Sequence, residues 1–143
     1  MAYSALMVQP MRDEVTRLGV EELRTPAAVD IFLAGLDGPA LVFVNSVCGC
    51  AAGNARPALQ LALDDPGCPS RRVSVFAGQD PEATARLRER FAAVPPSSPS
   101  FLVIEGDRVR GHVPRSGIEG HTAGQVADRL RTMFRELAGR AAD

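Results

Sequence analysis

A short apolar run, residues 40–47 (ALVFVNSV), constrains the fold of this chain more than any other feature. The run is too short to cross a membrane, which takes about 20 residues, but it suits a strand of a parallel sheet that is covered on both faces. Cys48, Gly49 and Cys50 follow it directly, and the small residues after them lead into an apolar pattern typical of a helix. The sequence therefore predicts an α/β fold in which two thiols lie where a buried strand meets a helix.

The position of these thiols favours reactivity. The first turn of a helix has unpaired N–H groups and the positive end of the helix dipole, and both favour a thiolate, so we expect a lowered pKa for Cys48. Side chains two residues apart on a regular helix point to nearly opposite faces. A disulfide between Cys48 and Cys50 would therefore need a local distortion, which Gly49 permits. Such a pair suits passing a disulfide on, or capturing a small thiol, better than holding a structural bridge.

Two other interpretations of the cysteines stay open. Buried cysteines often serve as small apolar side chains. A metal site is less favoured, because zinc and iron–sulfur sites usually need four ligands at characteristic spacings. The chain has three cysteines and two histidines, with no Cys-X-X-Cys pair, so we predict no metal. It also has no lysine, and no ammonium group can assist the thiols.

Polar residues near the thiols are candidate site residues. Asn45 and Ser46 precede the thiols and either hydrogen-bond the turn or simply form it. Arg56 follows by one or two helical turns and is a candidate for holding an anionic substrate, although its position favours a solvated surface arginine. His121 is a candidate proton shuttle, although its place before the last helix favours a capping or packing role. Cys68, in a turn-rich stretch, is expected to be an incidental loop thiol.

Composition limits the class of protein. A length of 143 residues predicts a single domain, residues 1–143. A formal charge of -1 with 23% charged residues argues against a nucleic-acid or anionic-membrane surface. No secretion signal or membrane-length segment is recognisable, so we expect a cytoplasmic protein. In a reducing cytoplasm, a close cysteine pair is more often catalytic than structural.

Apolar periodicity and capping residues predict the element order α-α-β-α-β-α-β-β-α, with Gly106-Asp107 turning a hairpin and Thr122 with Gln125 forming a capping box. The expected apolar faces of the first, second and last helices comprise Met7, Met11, Val15 and Leu18; Ile31, Phe32 and Leu36; and Val126, Leu130, Met133, Phe134 and Leu137. This pattern predicts a mixed sheet covered by helices on both faces.

Four motifs, in this order, resemble the bacilliredoxin family of thioredoxin-like proteins. They lie at residues 44–53, 75–80, 96–100 and 118–121, and the Pro-Met-Arg at 10–12 fits as well. The match covers nearly the whole chain. It implies a thioredoxin-like fold, with a central mixed β-sheet, helices on both faces and an N-terminal helical extension.

The resemblance also implies site roles. Cys48 would be the attacking thiol and Cys50 its neighbour in the Cys-Gly-Cys motif. Ser98 and Pro99 would form a cis-proline loop that faces the thiols. Pro57 is similar to the proline that kinks the active-site helix of thioredoxin-type proteins, as its missing N–H would also suggest.

The family is associated with removing bacillithiol from mixed disulfides on cytoplasmic proteins. The resemblance therefore implies a thiol–disulfide oxidoreductase with no bound cofactor and with bacillithiol as co-substrate. Its partners would be S-thiolated or disulfide-containing proteins and a small thiol, with no nucleic acid and no membrane, and a homodimer is a candidate assembly. The alternatives are a protein disulfide isomerase or general disulfide reductase, and, in another class, a non-catalytic redox-regulated binding protein.

Overall fold

The computed structural model describes residues 3–142, and the side chains of residues 3–139. Its five strands are β1 (Glu21–Glu22), β2 (Pro39–Asn45), β3 (Arg71–Phe76), β4 (Ser100–Glu105) and β5 (Arg108–Val113). Its α-helices are α1 (Ala5–Thr16), α2 (Pro26–Ala34), α3 (Arg56–Ala62), α4 (Pro81–Arg90) and α5 (Ala123–Ala142). A π-helical turn, Ala51–Ala55, precedes α3, and a 3-10 turn, Arg115–Gly117, follows β5.

The strands form one mixed sheet in the order β1-β3-β2-β4-β5. β2 lies at its centre, parallel to β3 and antiparallel to β4. Successive β2 side chains enter two separate cores: Leu41 and Phe43 pack on the face covered by α3 and α5, whereas Val42 and Val44 pack on the face covered by α2 and α4. The run is apolar throughout because both faces of this strand are buried, and the predicted mixed sheet with helices on both faces is confirmed.

The first helix buries a different face from the one predicted. Val8, Arg12 and Val15 are buried, whereas Met7 is 52% exposed. The guanidinium of Arg12 reaches Glu22 on β1 at 2.8 Å and Asp80 at 2.7 Å. Because these two carboxylates neutralise the arginine, it is buried at a position that the predicted apolar face did not include. β1, which carries Glu22, was not predicted at all.

Ile31 is a second correction, since it is 74% exposed while Val29 and Phe32 of the same helix are buried.

The last helix follows its prediction closely. All five predicted apolar residues of α5 are buried. Its first turn is a capping box, in which Gln125 N–H donates to Thr122 Oγ1 at 3.1 Å and Thr122 N–H donates to Gln125 Oε1 at 2.9 Å.

Two further predictions concern chain reversals. The β4–β5 hairpin turns at Gly106, whose φ of +60° lies in the left-handed region that favours glycine. The bend expected at Pro57 takes the form of the π-helical turn, after which α3 begins with this proline in its first turn. Within residues 3–142, no helix is both long enough and apolar enough to span a membrane.

Candidate active site

The two thiols lie just beyond the carboxyl end of the central strand β2. Cys48 is the last residue before the helix, and its carbonyl accepts hydrogen bonds from the N–H groups of Ala51 and Ala52. The sulfurs of Cys48 and Cys50 are 2.7 Å apart, and both cysteines are free and half-buried. Sites in open α/β sheets form at this end of the strands. The position predicted from the sequence is therefore the observed one.

The expectation that the two side chains point to opposite faces is wrong. That argument placed both cysteines within a regular helix, but Cys48 precedes the helix and Cys50 lies in its first turn. The backbone bends at Cys48, and the two sulfurs come within 2.7 Å of each other. Gly49 does not need its conformational freedom for this arrangement, because its φ lies outside the left-handed region and an added Cβ would meet no atom within 4 Å.

The thiols have pKa values shifted in opposite directions. The pKa of Cys48 is lowered, chiefly because the Cys50 thiol donates a hydrogen bond to its sulfur. Backbone N–H groups at the helix start and the positive charge of Arg115 act in the same direction. The pKa of Cys50 is raised, first by burial and then by its hydrogen bond with Cys48 and the negative charge there. The pair thus comprises one thiolate-forming sulfur and one sulfur that keeps its proton.

Asn45 and Ser46 hold the turn that carries Cys48. The Ser46 hydroxyl accepts from the N–H of Cys48 at 3.1 Å, and the Asn45 side-chain carbonyl accepts from the N–H of Ser46 at 2.9 Å. The amide of Asn45 donates to the carbonyl of Met11 on α1 at 3.2 Å. Both side chains are at least nine-tenths buried. They hydrogen-bond the turn rather than simply forming it.

Arg56 is buried against the turn that precedes Cys48 and is not exposed at the site. Its side chain is only 3% exposed, so the prediction of a solvated arginine is wrong. The guanidinium donates to the Asn45 side-chain carbonyl and to the backbone carbonyl of Ser46, both at 3.0 Å, and to Glu14 at 2.6 Å. Its donors face protein acceptors, so it shapes the site and is not placed to hold an anionic substrate.

The Ser98–Pro99 peptide bond is cis, as predicted. The loop before β4 is held by two arginines. Arg88 of α4 donates to the carbonyl of Ser97 at 3.2 Å, and Arg115 makes long contacts of 3.4 Å to Ser97 Oγ, through its backbone N–H, and 3.5 Å to the Ser98 carbonyl. That this loop faces Cys48 stays a prediction.

Arg115 is the site residue that sequence reasoning missed. It starts the 3-10 turn after β5, outside every motif considered, and its charge acts on both thiols. The segment that follows it is tied to the active-site helix, because Asn54 of the π-helical turn donates to the carbonyl of Ile118 at 3.1 Å. The recognisable Ile-Glu-Gly-His motif at 118–121 was the available signal that this segment lies near the thiols.

Two candidate residues stand apart from this chemistry. His121 is exposed, and its Nδ1 lies 3.2 Å from the carbonyl of Glu119, just before the capping box of α5. Cys68 is half-buried in the turn after α3, where its Sγ lies 3.6 Å from the carbonyl of Pro69 and burial raises its pKa. A raised pKa keeps this thiol protonated, which accords with an incidental role.

Solved structures of thioredoxins share this fold. Chloroplastic thioredoxin z superposes with a TM-score of 0.51 at 19% identity, over 81% of this chain and 95% of that one. Thioredoxin O2 of Arabidopsis thaliana, in its oxidised state, gives 0.54 at 12% identity, over 82% and 96%. The fold, the adjacent thiols and the sequence relatives below together define a thiol–disulfide oxidoreductase of the thioredoxin-like class.

A family model described as disulphide isomerase matches residues 3–138. A bacilliredoxin of Geobacillus kaustophilus is 48% identical over 138 residues, covering 96% of this chain and 95% of the relative. One from Salinibacter ruber is 50% identical over 141 residues, covering 97% and 83%. One from Bacillus cereus is 47% identical over 133 residues, covering 92% of each. The chain belongs to the bacilliredoxin family.

Proposed function

We propose that this protein removes bacillithiol from mixed disulfides on cytoplasmic proteins, with Cys48 as the nucleophile. The observation that carries the proposal is the pair of sulfurs 2.7 Å apart, of which Cys48 has the lowered pKa and Cys50 the raised one. A nucleophile with a protonated thiol beside it can accept an adduct and then release it. Membership of a family whose relatives are named bacilliredoxins supports bacillithiol as the small thiol.

The first step transfers the small thiol. The Cys48 thiolate attacks the bacillithiol sulfur of the mixed disulfide, a new S–S bond forms between them, and the bond to the client sulfur breaks. The client leaves as a thiolate and takes up a proton. One disulfide is exchanged for another, so the step needs no outside oxidant or reductant.

The second step clears Cys48. Cys50 loses its proton and attacks the Cys48 sulfur, which leaves a Cys48–Cys50 disulfide and releases bacillithiol. Alternatively, a second bacillithiol attacks the bound one, which releases bacillithiol disulfide and restores the Cys48 thiolate. The raised pKa of Cys50 keeps it protonated beside the Cys48 thiolate, so that Cys48 attacks the substrate first, because a thiol is a much weaker nucleophile than a thiolate.

A second candidate in the same chemistry is a disulfide isomerase or general disulfide reductase, which the description of the matching family model favours. In this case Cys48 attacks a client sulfur and the client itself becomes bound. A non-catalytic, redox-regulated binding protein is the candidate of another class. There the oxidised pair would switch a partner without any transfer.

Mass spectrometry with a bacillithiolated client separates these candidates. We expect wild-type protein to free the client, Cys50→Ser to retain a bacillithiol adduct on Cys48, and Cys48→Ser to be inactive. Cys68→Ser serves as the control and should behave as wild type. A client trapped covalently on Cys50→Ser would favour the isomerase or reductase instead. Absence of any adduct would leave only the non-catalytic candidate.

A further inference from the structure

We propose that Arg115 binds the carboxylate of an anionic small thiol, and thereby selects which mixed disulfides Cys48 attacks. The inference rests on the proposed function and names the residue that recognises the small-thiol half of the substrate. The sequence had offered Arg56 for this task, but its guanidinium is buried and occupied by Glu14, Asn45 and Ser46. Arg115 is different, because 45% of its side chain is exposed.

Two other segments contact the turn that carries Arg115. Its backbone N–H and guanidinium contact Ser97 and Ser98 of the cis-proline loop. Asn54 of the π-helical turn, which begins directly after Cys50, donates to the carbonyl of Ile118, and the N–H of Ile118 donates to the carbonyl of Arg115. The turn of Arg115 therefore connects the cis-proline loop to the helix that carries Cys50.

The guanidinium also pairs with an exposed carboxylate. Its Nε donates to Glu119 Oε2 at 3.1 Å, with 61% of the Glu119 side chain exposed. An exposed ion pair of this kind contributes little to stability and exchanges readily. Glu119 thus orients the arginine toward a carboxylate-binding geometry and can be replaced by a substrate carboxylate, to which guanidinium groups bind through two parallel hydrogen bonds.

The chemistry of the site fits this selection. After transfer, the small thiol is bonded to Cys48, and the positive charge of Arg115 acts on that sulfur. A carboxylate carried by the small thiol therefore enters the field of the same guanidinium during the attack. A neutral small thiol gains nothing from this charge beyond the effect on the Cys48 thiolate itself.

Two matched substrates test the proposal. One client protein carries 3-mercaptopropionate as its mixed disulfide and the other carries 2-mercaptoethanol, so that the substrates differ in the carboxylate. The rate of transfer to Cys48 is measured for each, and the ratio of the two rates reports on recognition of the carboxylate. We expect wild type to prefer the 3-mercaptopropionate client and Arg115→Gln to lower the ratio about threefold to fivefold, as befits an exposed charge pair.

Two other variants sharpen the result. Glu119→Gln leaves Arg115 without its internal competitor and should raise the ratio. Arg86→Gln is the matched control, since Arg86 is 47% exposed, pairs with Asp30 of α2 and carries the same charge. It should leave the ratio at its wild-type value.

Three results would overturn the inference. One is equal rates for the two clients in wild type, another is an Arg115→Gln ratio equal to that of wild type, and the third is a change in the Arg86→Gln ratio as large as that in Arg115→Gln. All three leave the proposed function standing, provided that transfer itself occurs. Failure of wild type to accept either adduct would instead overturn the proposed function, and the inference with it.

Discussion

Replacing Arg56 by methionine should destabilise the protein and disturb the thiol turn together. Methionine fills much of the same space but cannot donate, so the Asn45 side-chain carbonyl and the Ser46 backbone carbonyl each lose a charged donor at 3.0 Å. Hydrogen bonds to charged groups contribute about 1.5–3 kcal/mol each. The pair with Glu14 adds less, about 1 kcal/mol at most, because 38% of that side chain is exposed. We expect a loss of about 3–5 kcal/mol in the free energy of unfolding.

Urea denaturation followed by circular dichroism measures this loss. With an m-value of about 2 kcal/mol/M, the midpoint should fall by roughly 1.5–2.5 M. Glu14→Gln is the control. It should lower the free energy of unfolding by less than about 1 kcal/mol, since it removes only the partly exposed ion pair with Arg56. Arg56→Met should also slow the transfer of a bacillithiol adduct to Cys48, because Ser46 then holds Cys48 less firmly. A loss below about 1 kcal/mol for Arg56→Met would refute the view that this arginine organises the turn.

Three further predictions concern the thiols, Gly49 and His112. Iodoacetamide should alkylate Cys48 at lower pH than Cys50, because a lowered pKa gives more thiolate at neutral pH and a raised pKa gives less. Peptide mass spectrometry measures the order, and alkylation of Cys50 at the lower pH would contradict the roles assigned to the two thiols. Gly49→Ala should raise the melting temperature slightly, by the equivalent of about 0.4–1 kcal/mol, since the added methyl meets no atom; a lower melting temperature would exclude this. Burial lowers the pKa of His112 in the folded protein. Below about pH 6.5 the unfolded chain therefore binds the proton more readily, and the free energy of unfolding decreases as the pH is lowered. His112→Gln should flatten that dependence in urea titrations from pH 7 to 5, and an unchanged dependence would contradict this assignment.

Elements with one clear periodicity could be predicted from the sequence. The α5 stripe repeats from Val126 to Leu137, and each predicted position is buried. The alternation of β2 between two cores made it a continuous apolar run, which located the sheet centre and the thiols beside it. In both cases, the pattern arises from burial alone, and burial leaves a direct record in residue type.

Residues that depend on distant partners could not be predicted in this way. Arg12 and Arg56 are buried because carboxylates and carbonyls from other elements surround them, and the sequence does not show which segments meet. The same holds for Arg115, whose importance comes from the turn that brings its charge close enough to act on both thiols. The sequence correctly placed the two cysteines where β2 meets a helix. It could not show that their side chains converge, because that depends on where the helix begins, to within one residue.

Cys48 and Arg115, the residue proposed to bind the substrate carboxylate, follow different strands of the sheet. β2, which leads to Cys48, is hydrogen-bonded on both sides, whereas β5, which leads to Arg115, is an edge strand bonded on one side. Edge strands open at lower free energy than central ones. The turn that carries Arg115 can therefore open locally, or differ between relatives, while Cys48 keeps its position. On the role proposed for Arg115, a substitution in this one turn would change the preferred small thiol without altering the strand that positions Cys48.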